Sequence, residues 1–125
     1  MPKDVLITPA SAQIEIKDTN GDVFSKFTDT AVGIGTNEPE EKFEVHGTSG
    51  QVFQVSDDLD DVVFSANNIS GLPVIEAKAD NTVTLGKFGR NDLVVDSTGN
   101  VGIGTDDPVK KLDVRGSINL GNSGN

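Results

Sequence analysis

The stretch "VGIGTDDPVKKLDVRG", Val101 to Gly116, decides how this sequence is read. A near copy, "VGIGTNEPEEKFEVHG", runs from Val32 to Gly47, displaced by 69 positions and identical at 9 of 16. The shared letters are VGIGT, a proline, a lysine, a valine and the closing glycine. These are strand formers and turn formers rather than groups that move protons or attack carbonyls, so the repeat reads as architecture. In each copy the valine and isoleucine of VGI point to one side of a strand, and the glycines leave the other side bare. Asn37 to Glu41, or Asp106-Asp107-Pro108, then makes a turn or a single helical turn, with the proline presetting φ near its start. Phe43 and Val45, or Leu112 and Val114, resume the alternation, and Gly47 or Gly116 closes it.

The same period of two extends outward from the repeats. In "QIEIKDTNGDVFSKF", Asn20-Gly21 signals a hairpin, read as a two-residue type I′ turn. That reading pairs Ile14 with Phe27, Ile16 with Ser25 and Asp18 with Val23, so Ile14, Ile16, Val23 and Phe27 share a side. Between the copies, "QVFQVS" presents Phe53 and Val55 together, and "VVFSA" presents Val62, Phe64 and Ala66. "LPVIEAKA", "NTVTLGKF" and "DLVV" follow, punctuated by turn residues at the spacing of all-β folds. No helix longer than one turn is expected. Met1 to about Ala12 and Ser117 to Asn125 read as extended or loosely ordered ends.

Composition agrees. Val, Ile, Leu and Phe number 15, 8, 7 and 6, so β-branched residues outnumber Leu by three to one. Such residues lose little in a pleated strand and cost something in a helix. The expected class is therefore all-β: short antiparallel strands and hairpins in an elongated chain. It divides into an N-terminal arm and hairpin (1–31), the first repeat (32–47), a central β-region (48–100), the second repeat (101–116) and a C-terminal tail (117–125). A net charge of −10 argues against nucleic acid and anionic membranes as partners, since both are bound through clustered Lys and Arg. With no cysteine, disulfides and thiolate metal sites are excluded. "MPKDVLITPASAQIEIKD" carries no apolar core of a signal peptide and the chain has no transmembrane run, so synthesis in a cytoplasm is expected.

A small repeat of this kind cannot enclose its apolar stripe alone and leaves strand edges open. Wrapping three chains into a rod answers both problems, with Val and Ile inward and the glycines relieving crowding at the junctions. The residues expected to carry assembly are Val32, Gly33, Ile34, Gly35 and Pro39, with Val101, Gly102, Ile103, Gly104 and Pro108.

The pattern VGIGT-x-x-P-x-x-K-[LF]-x-V-x-G resembles a repeat of tail-fibre and other appendage proteins of tailed bacteriophages. There it often precedes a self-cleaving intramolecular chaperone domain. "VVFSANNISGLPVIEAKADNTVTLGKFG" resembles segments of marine-phage structural proteins. Together the resemblance covers about Val52 to Gly116 and Val32 to Gly47. It implies a non-enzymatic, β-prism-like, intertwined homotrimeric shaft that spaces or displays a partner, with other virion proteins as neighbours. It places the chain in a virion appendage, extracellular after release. This sequence stops about nine residues after its second repeat without a chaperone domain, so the expectation is that trimerisation is intrinsic, or the chain is a fragment, or it is a small stand-alone appendage protein.

Sharper chemical readings are weaker. The paired glycines lack the third glycine, long helix and βαβ context of a dinucleotide fingerprint. Asp18-Thr19-Asn20-Gly21-Asp22 spaces oxygens as a calcium loop does, but Val23 and Asp29 stand where that loop needs glycine and a bidentate glutamate. Asp57, Asp58, Asp60 and Asp61 form the better cation candidate, weighed against a solvated loop. A glycosidase needs two acids across a cleft, usually with aromatic platforms, and the chain has neither Trp nor Tyr. His46 reads as a solvated strand residue. No enzyme activity, cofactor or catalytic residue is expected. Two rival readings stand beside the shaft. One is a receptor-binding or capsid-decoration module, with a host-surface glycan as partner and loops Asp57–Asp61 or Asn67–Gly71 as its patch. The other is an extracellular filament whose strand Val5 to Ile7 completes the sheet of the next subunit.

Overall fold

Apolar and polar residues alternate in segment after segment from Ile14 onward, and each segment is a strand in the computed structural model, which describes residues 10–57 and 60–121. The strands are β1 (Ile14–Lys17), β2 (Val23–Phe27), β3 (Val32–Ile34), β4 (Phe43–Gly47), β5 (Gly50–Val55), β6 (Val62–Asn67), β7 (Pro73–Lys78), β8 (Val83–Leu85), β9 (Leu93–Val95), β10 (Val101–Ile103) and β11 (Leu112–Val114). There is no helix among the described residues. The all-β class is as expected. The expected arm at Val5–Ile7 and the last four residues lie outside the described residues.

All eleven strands lie in one open sheet in chain order, and each packs only against its neighbours in sequence. A globular domain ordinarily needs a second layer to cover a sheet. Among the described residues there is no second layer.

The strands are not all antiparallel, which corrects the simple hairpin reading. β3 runs parallel to β4, and β10 parallel to β11. These two pairs are the two sequence repeats. VGIGT-x-x-P is thus the first strand and crossover of a parallel pair, and K-[LF]-x-V-x-G its return. Parallel neighbours usually need a connection of a dozen residues or more, commonly a helix. Only residues 35–42 separate β3 from β4, and 104–111 separate β10 from β11. So brief a crossover works because a three-residue strand has only about 7 Å to retrace. Loop and return are pinned to the strand they leave. Val32 N–H donates to Lys42 O and Val101 N–H to Lys111 O, both at 2.9 Å.

Register sorts the side chains onto two faces. One unbroken cross-strand row runs Ile14, Phe27, Val32, Phe43, Val55, Phe64, Ala77, Val83, Val95, Val101, Leu112. A second row beside it runs from Ile16 through Ser25, Ile34, Val45, Phe53, Ala66, Ile75 and Leu85 to Leu93. The opposite face reads Glu15, Lys26, Gly33, Glu44, Gln54, Ser65, Glu76, Thr84, Val94, Gly102, Asp113. Bulges in β4–β5 and β6–β7 keep these rows in phase.

Four hairpins share one five-residue turn: Asp18–Asp22, Asn68–Leu72, Lys78–Thr82 and Asp96–Asn100. In each, the first N–H donates to the fifth C=O, and the fourth N–H donates to the first C=O. The fourth residue is left-handed: Gly21, Gly71, Asn81 or Gly99. This is a type I turn with a glycine-type bulge, so the expected type I′ turn at Asn20-Gly21 is corrected. Only Gly21 of that pair has positive φ. Ile14 and Ile16 pair as expected, while a bulge sets Lys17, not Asp18, opposite Val23. Three of the turns begin with Asp or Asn, whose Oδ1 accepts the N–H groups two and four residues on: 2.8 and 3.0 Å at Asp18, 2.9 and 3.1 Å at Asn68, 2.9 and 2.8 Å at Asp96.

Those bonds favour the ionised carboxylate. The Asp22 N–H and then the Asn20 N–H hold the Asp18 carboxyl below its usual range, and the Asn100 N–H does most of the same for Asp96. A lowered folded-state pKa stabilises the hairpin above the ordinary aspartate value of about 3.9 and withdraws that stabilisation as pH falls through the folded value. Asn68 has no proton to gain. On acidification, the backbone amide resonances of Asn20, Asp22, Thr98 and Asn100 should therefore titrate with midpoints below about 3.9, while those of Ser70 and Leu72 hold. Two-dimensional amide NMR between pH 6 and 2 reads all six at once.

Candidate functional site

The largest chemical feature of the chain is the apolar face. Its two cross-strand rows contain no charged residue, and much of it is open: Leu112 is 59% exposed, Ile16 51% and Phe27 41%. Phe43, Phe53 and Phe64 form an edge-to-face ladder at its centre, with ring centroids 5.8 and 5.3 Å apart. Among the described residues, the buried apolar side chains are few: Ala31, Val94 and Pro108. The buried polar residues among them are Ser25, Glu44 and Ser65, of which Glu44 and Ser65 are fully buried. Val94, Glu44 and Ser65 sit on the polar face, where crossovers and loops fold over the sheet. Glu44, Ser65 and Val94 on the polar face are thus buried while much of the apolar face stays open to water.

The residues expected to carry assembly divide between the faces. Val32, Ile34 and Val101 lie within the rows of the apolar face, and Ile103, paired with Val114, lies on the same side as Val101. The two repeats are not brought together; β5 to β9 separate them. Gly33 and Gly102 lie on the opposite face, which is not bare there. A Cβ on Gly33 would stand 2.6 Å from Thr36 Cγ2 and 3.0 Å from Pro39 Cβ, and one on Gly102 would collide with the Thr105 carbonyl oxygen. Gly35 and Gly104 take φ of +76° where the chain leaves the strand, close under the His46 and Arg115 carbonyls. These glycines therefore make room for the chain's own crossover. Pro39 is half-buried and Pro108 buried in the crossovers.

Sequence reasoning passed over the acid at the centre of each return strand. Asp113 Oδ2 accepts the Val109 N–H of its crossover at 3.1 Å and an Arg115 guanidinium N–H at 3.0 Å. The Val109 N–H, with Arg115 after it, holds the Asp113 carboxyl below its usual range. In the first repeat Glu44 takes the same place. Its Oε2 accepts the Glu41 N–H at 3.3 Å and Gln51 Nε2 at 3.0 Å, and the residue is 2% exposed. His46, expected to be solvated, is half-buried instead, with Nε2 3.1 Å from Glu44 Oε1. The pair is close but misaligned, and neither atom makes a hydrogen bond. The legible signal was the matched pattern acid-Val-base, Glu44-Val45-His46 and Asp113-Val114-Arg115, at equivalent places in the two copies.

The acidic run behaves differently. Asp57 Oδ2 pairs with Lys42 Nζ at 3.1 Å, and the Asp61 carbonyl accepts the Ala79 N–H at 2.9 Å. Asp60 and Asp61 are exposed, and Asp58 lies outside the described residues. No cluster of three or more metal-ligating side chains forms among the described residues. At the calcium-like loop, Asp18 spends its carboxylate on its own turn. No protein-family model matches the chain, and comparison with curated proteins finds no match.

The crossover geometry separates the two copies experimentally. Gly33→Ala and Gly102→Ala should each lower stability by about 1–3 kcal/mol, the usual cost of overpacking. Thr36→Ser, which removes the Cγ2 nearest the new methyl, should recover part of the first loss. Thr105→Ser should recover little of the second, because the obstacle there is mainly a backbone carbonyl. Thermal melts of the four single and two double variants measure both effects.

Proposed function

We propose that this chain is a non-enzymatic structural subunit of a phage fibre or virion appendage, forming a homotrimeric β-rich shaft that spaces or displays a partner. The observation that carries the reading is the open apolar face, which spans all eleven strands without a charge. Each Val, Leu, Ile or Phe taken from water to full burial stabilises by about 1.5–3 kcal/mol, so a half-exposed row of them is a strong drive to association. Copies of this chain are the occupant that electrostatics favours. Each carries a net charge of −10, and two such molecules approach most easily through a surface holding no charge. Three sheets with these faces inward would put the crossovers and acidic groups outward, as a soluble shaft requires. The resemblance of the repeats to appendage proteins supports the same reading.

The filament is the second reading. β1 and β11 end the sheet without a further strand among the described residues, and such edges accept strands from other chains.

Light scattering during size-exclusion chromatography tests the proposal. A closed trimer of 13.1 kDa chains elutes at a mass of about 39 kDa independent of loading. Phe53→Asp and Val55→Asp, at the centre of the apolar face, should abolish that species. Length-variable fibres would favour the filament. A wild-type monomer with a cooperative melt would sink both.

A further inference from the structure

The two repeats agree up to their closing glycine and then part. After Gly47 the chain turns through Thr48 and Ser49, and Gly50 opens β5, which pairs antiparallel along the outer edge of β4. That hairpin sets Gly47 opposite Gly50, whose φ of +141° is a value side chains rarely adopt. At the repeat's offset of 69 the counterpart of Gly50 is Asn119. The same tight turn is therefore closed to the second copy, and β11 has no strand on its outer edge among the described residues.

The ladder shows what that edge offers. Val101 N–H donates to Lys111 O and Arg115 N–H to Ile103 O, so Lys111, Asp113 and Arg115 turn their backbone groups toward β10. Leu112 and Val114 turn theirs outward. Their counterparts Phe43 and Val45 have β5 on that side. Just beyond the strand, Ile118 and Leu120 alternate with Asn119 as strand residues do, and they are 60% and 85% exposed. Among the described residues, none from Ser117 to Gly121 makes a hydrogen bond.

We propose that residues 117–121 of each chain leave their own sheet and add as an edge strand to β11 of a second copy. The exchange rests on the trimeric shaft and names the segment that locks its end. A threefold arrangement brings three equivalent β11 edges to one level, one acceptor for each donated segment. The reach suffices: from Val114 to Ile118 the chain spans up to about 13 Å, and packed sheets lie about 10 Å apart. The outward backbone groups of Leu112 and Val114 then take ladder partners. Ile118 and Leu120 extend the apolar rows past Leu112, itself 59% exposed. Because the exchange closes on itself, the mass stays that of a trimer.

The chain has no cysteine, so introduced ones report proximity without background. Leu112→Cys combined with Ile118→Cys, or with Leu120→Cys, covers both directions of the added strand, since residues directly opposite lie within disulfide reach. After oxidation, one of the two double variants should run as a covalent trimer on a denaturing, non-reducing gel. Amide exchange supplies the second measurement and keeps the test decisive if the cysteine variants fail to fold. In the wild-type trimer, Leu112 and Val114 should exchange at least about tenfold more slowly than in Ile118→Asp/Leu120→Asp, which leaves the eleven strands untouched. Two results would overturn the exchange and leave the shaft standing. One is an intact trimer in which both cysteine pairs stay unlinked or link only within a chain. The other is protection of Leu112 and Val114 that survives the double aspartate variant, which would mean that another segment fills the edge. A wild-type monomer would sink the shaft and the exchange together.

Discussion

Everything in this molecule depends on a single sheet having two unlike faces and, among the described residues, no second layer. Alternation puts most of the Val, Ile, Leu and Phe on one side of eleven strands and mostly polar, charged or small residues on the other. A sheet folded onto a helix layer or a second sheet hides its apolar side from water. This one keeps strands in contact only with their sequence neighbours, so the apolar side stays open however well the ladders form. Stability then resembles that of a solenoid, a sum of neighbour-to-neighbour terms, until something covers the face.

Loops and crossovers are spent on the other side. Both parallel crossovers pass over the polar face, and glycine appears at the strand centre beneath each because the loop leaves no room for a methyl group. That placement keeps the apolar row continuous. A crossover on the apolar side would have cut the rows at β3–β4 and β10–β11. The repeat is therefore a device for changing strand direction without interrupting the surface. The acids Glu44 and Asp113 tie each crossover to its return strand through a backbone N–H.

The turns share an economy of the same sort. A single Asx side chain at the head of a five-residue turn accepts two backbone N–H groups that would otherwise need water. Three hairpins use it, and a left-handed fourth residue completes each. Because two of the three heads are aspartates held below their usual pKa, the fold is tuned to conditions above strongly acid pH.

The sequence by itself determined the class, most strand positions, the partners Ile14–Phe27 and Ile16–Ser25, and which of the residues Val32, Ile34, Val101 and Ile103 would share a face, because a period of two is a local property of the backbone. It did not determine strand direction: a turn and a short crossover have much the same letters, so the parallel pairs at the repeats were hidden. Nor did it give the reason for Gly33 and Gly102, or the meeting of Glu44 with His46 and Gln51. Those depend on which atoms a loop brings within a few ångströms, and tertiary structure alone decides that, since contacts across a sheet have no fixed spacing along the chain.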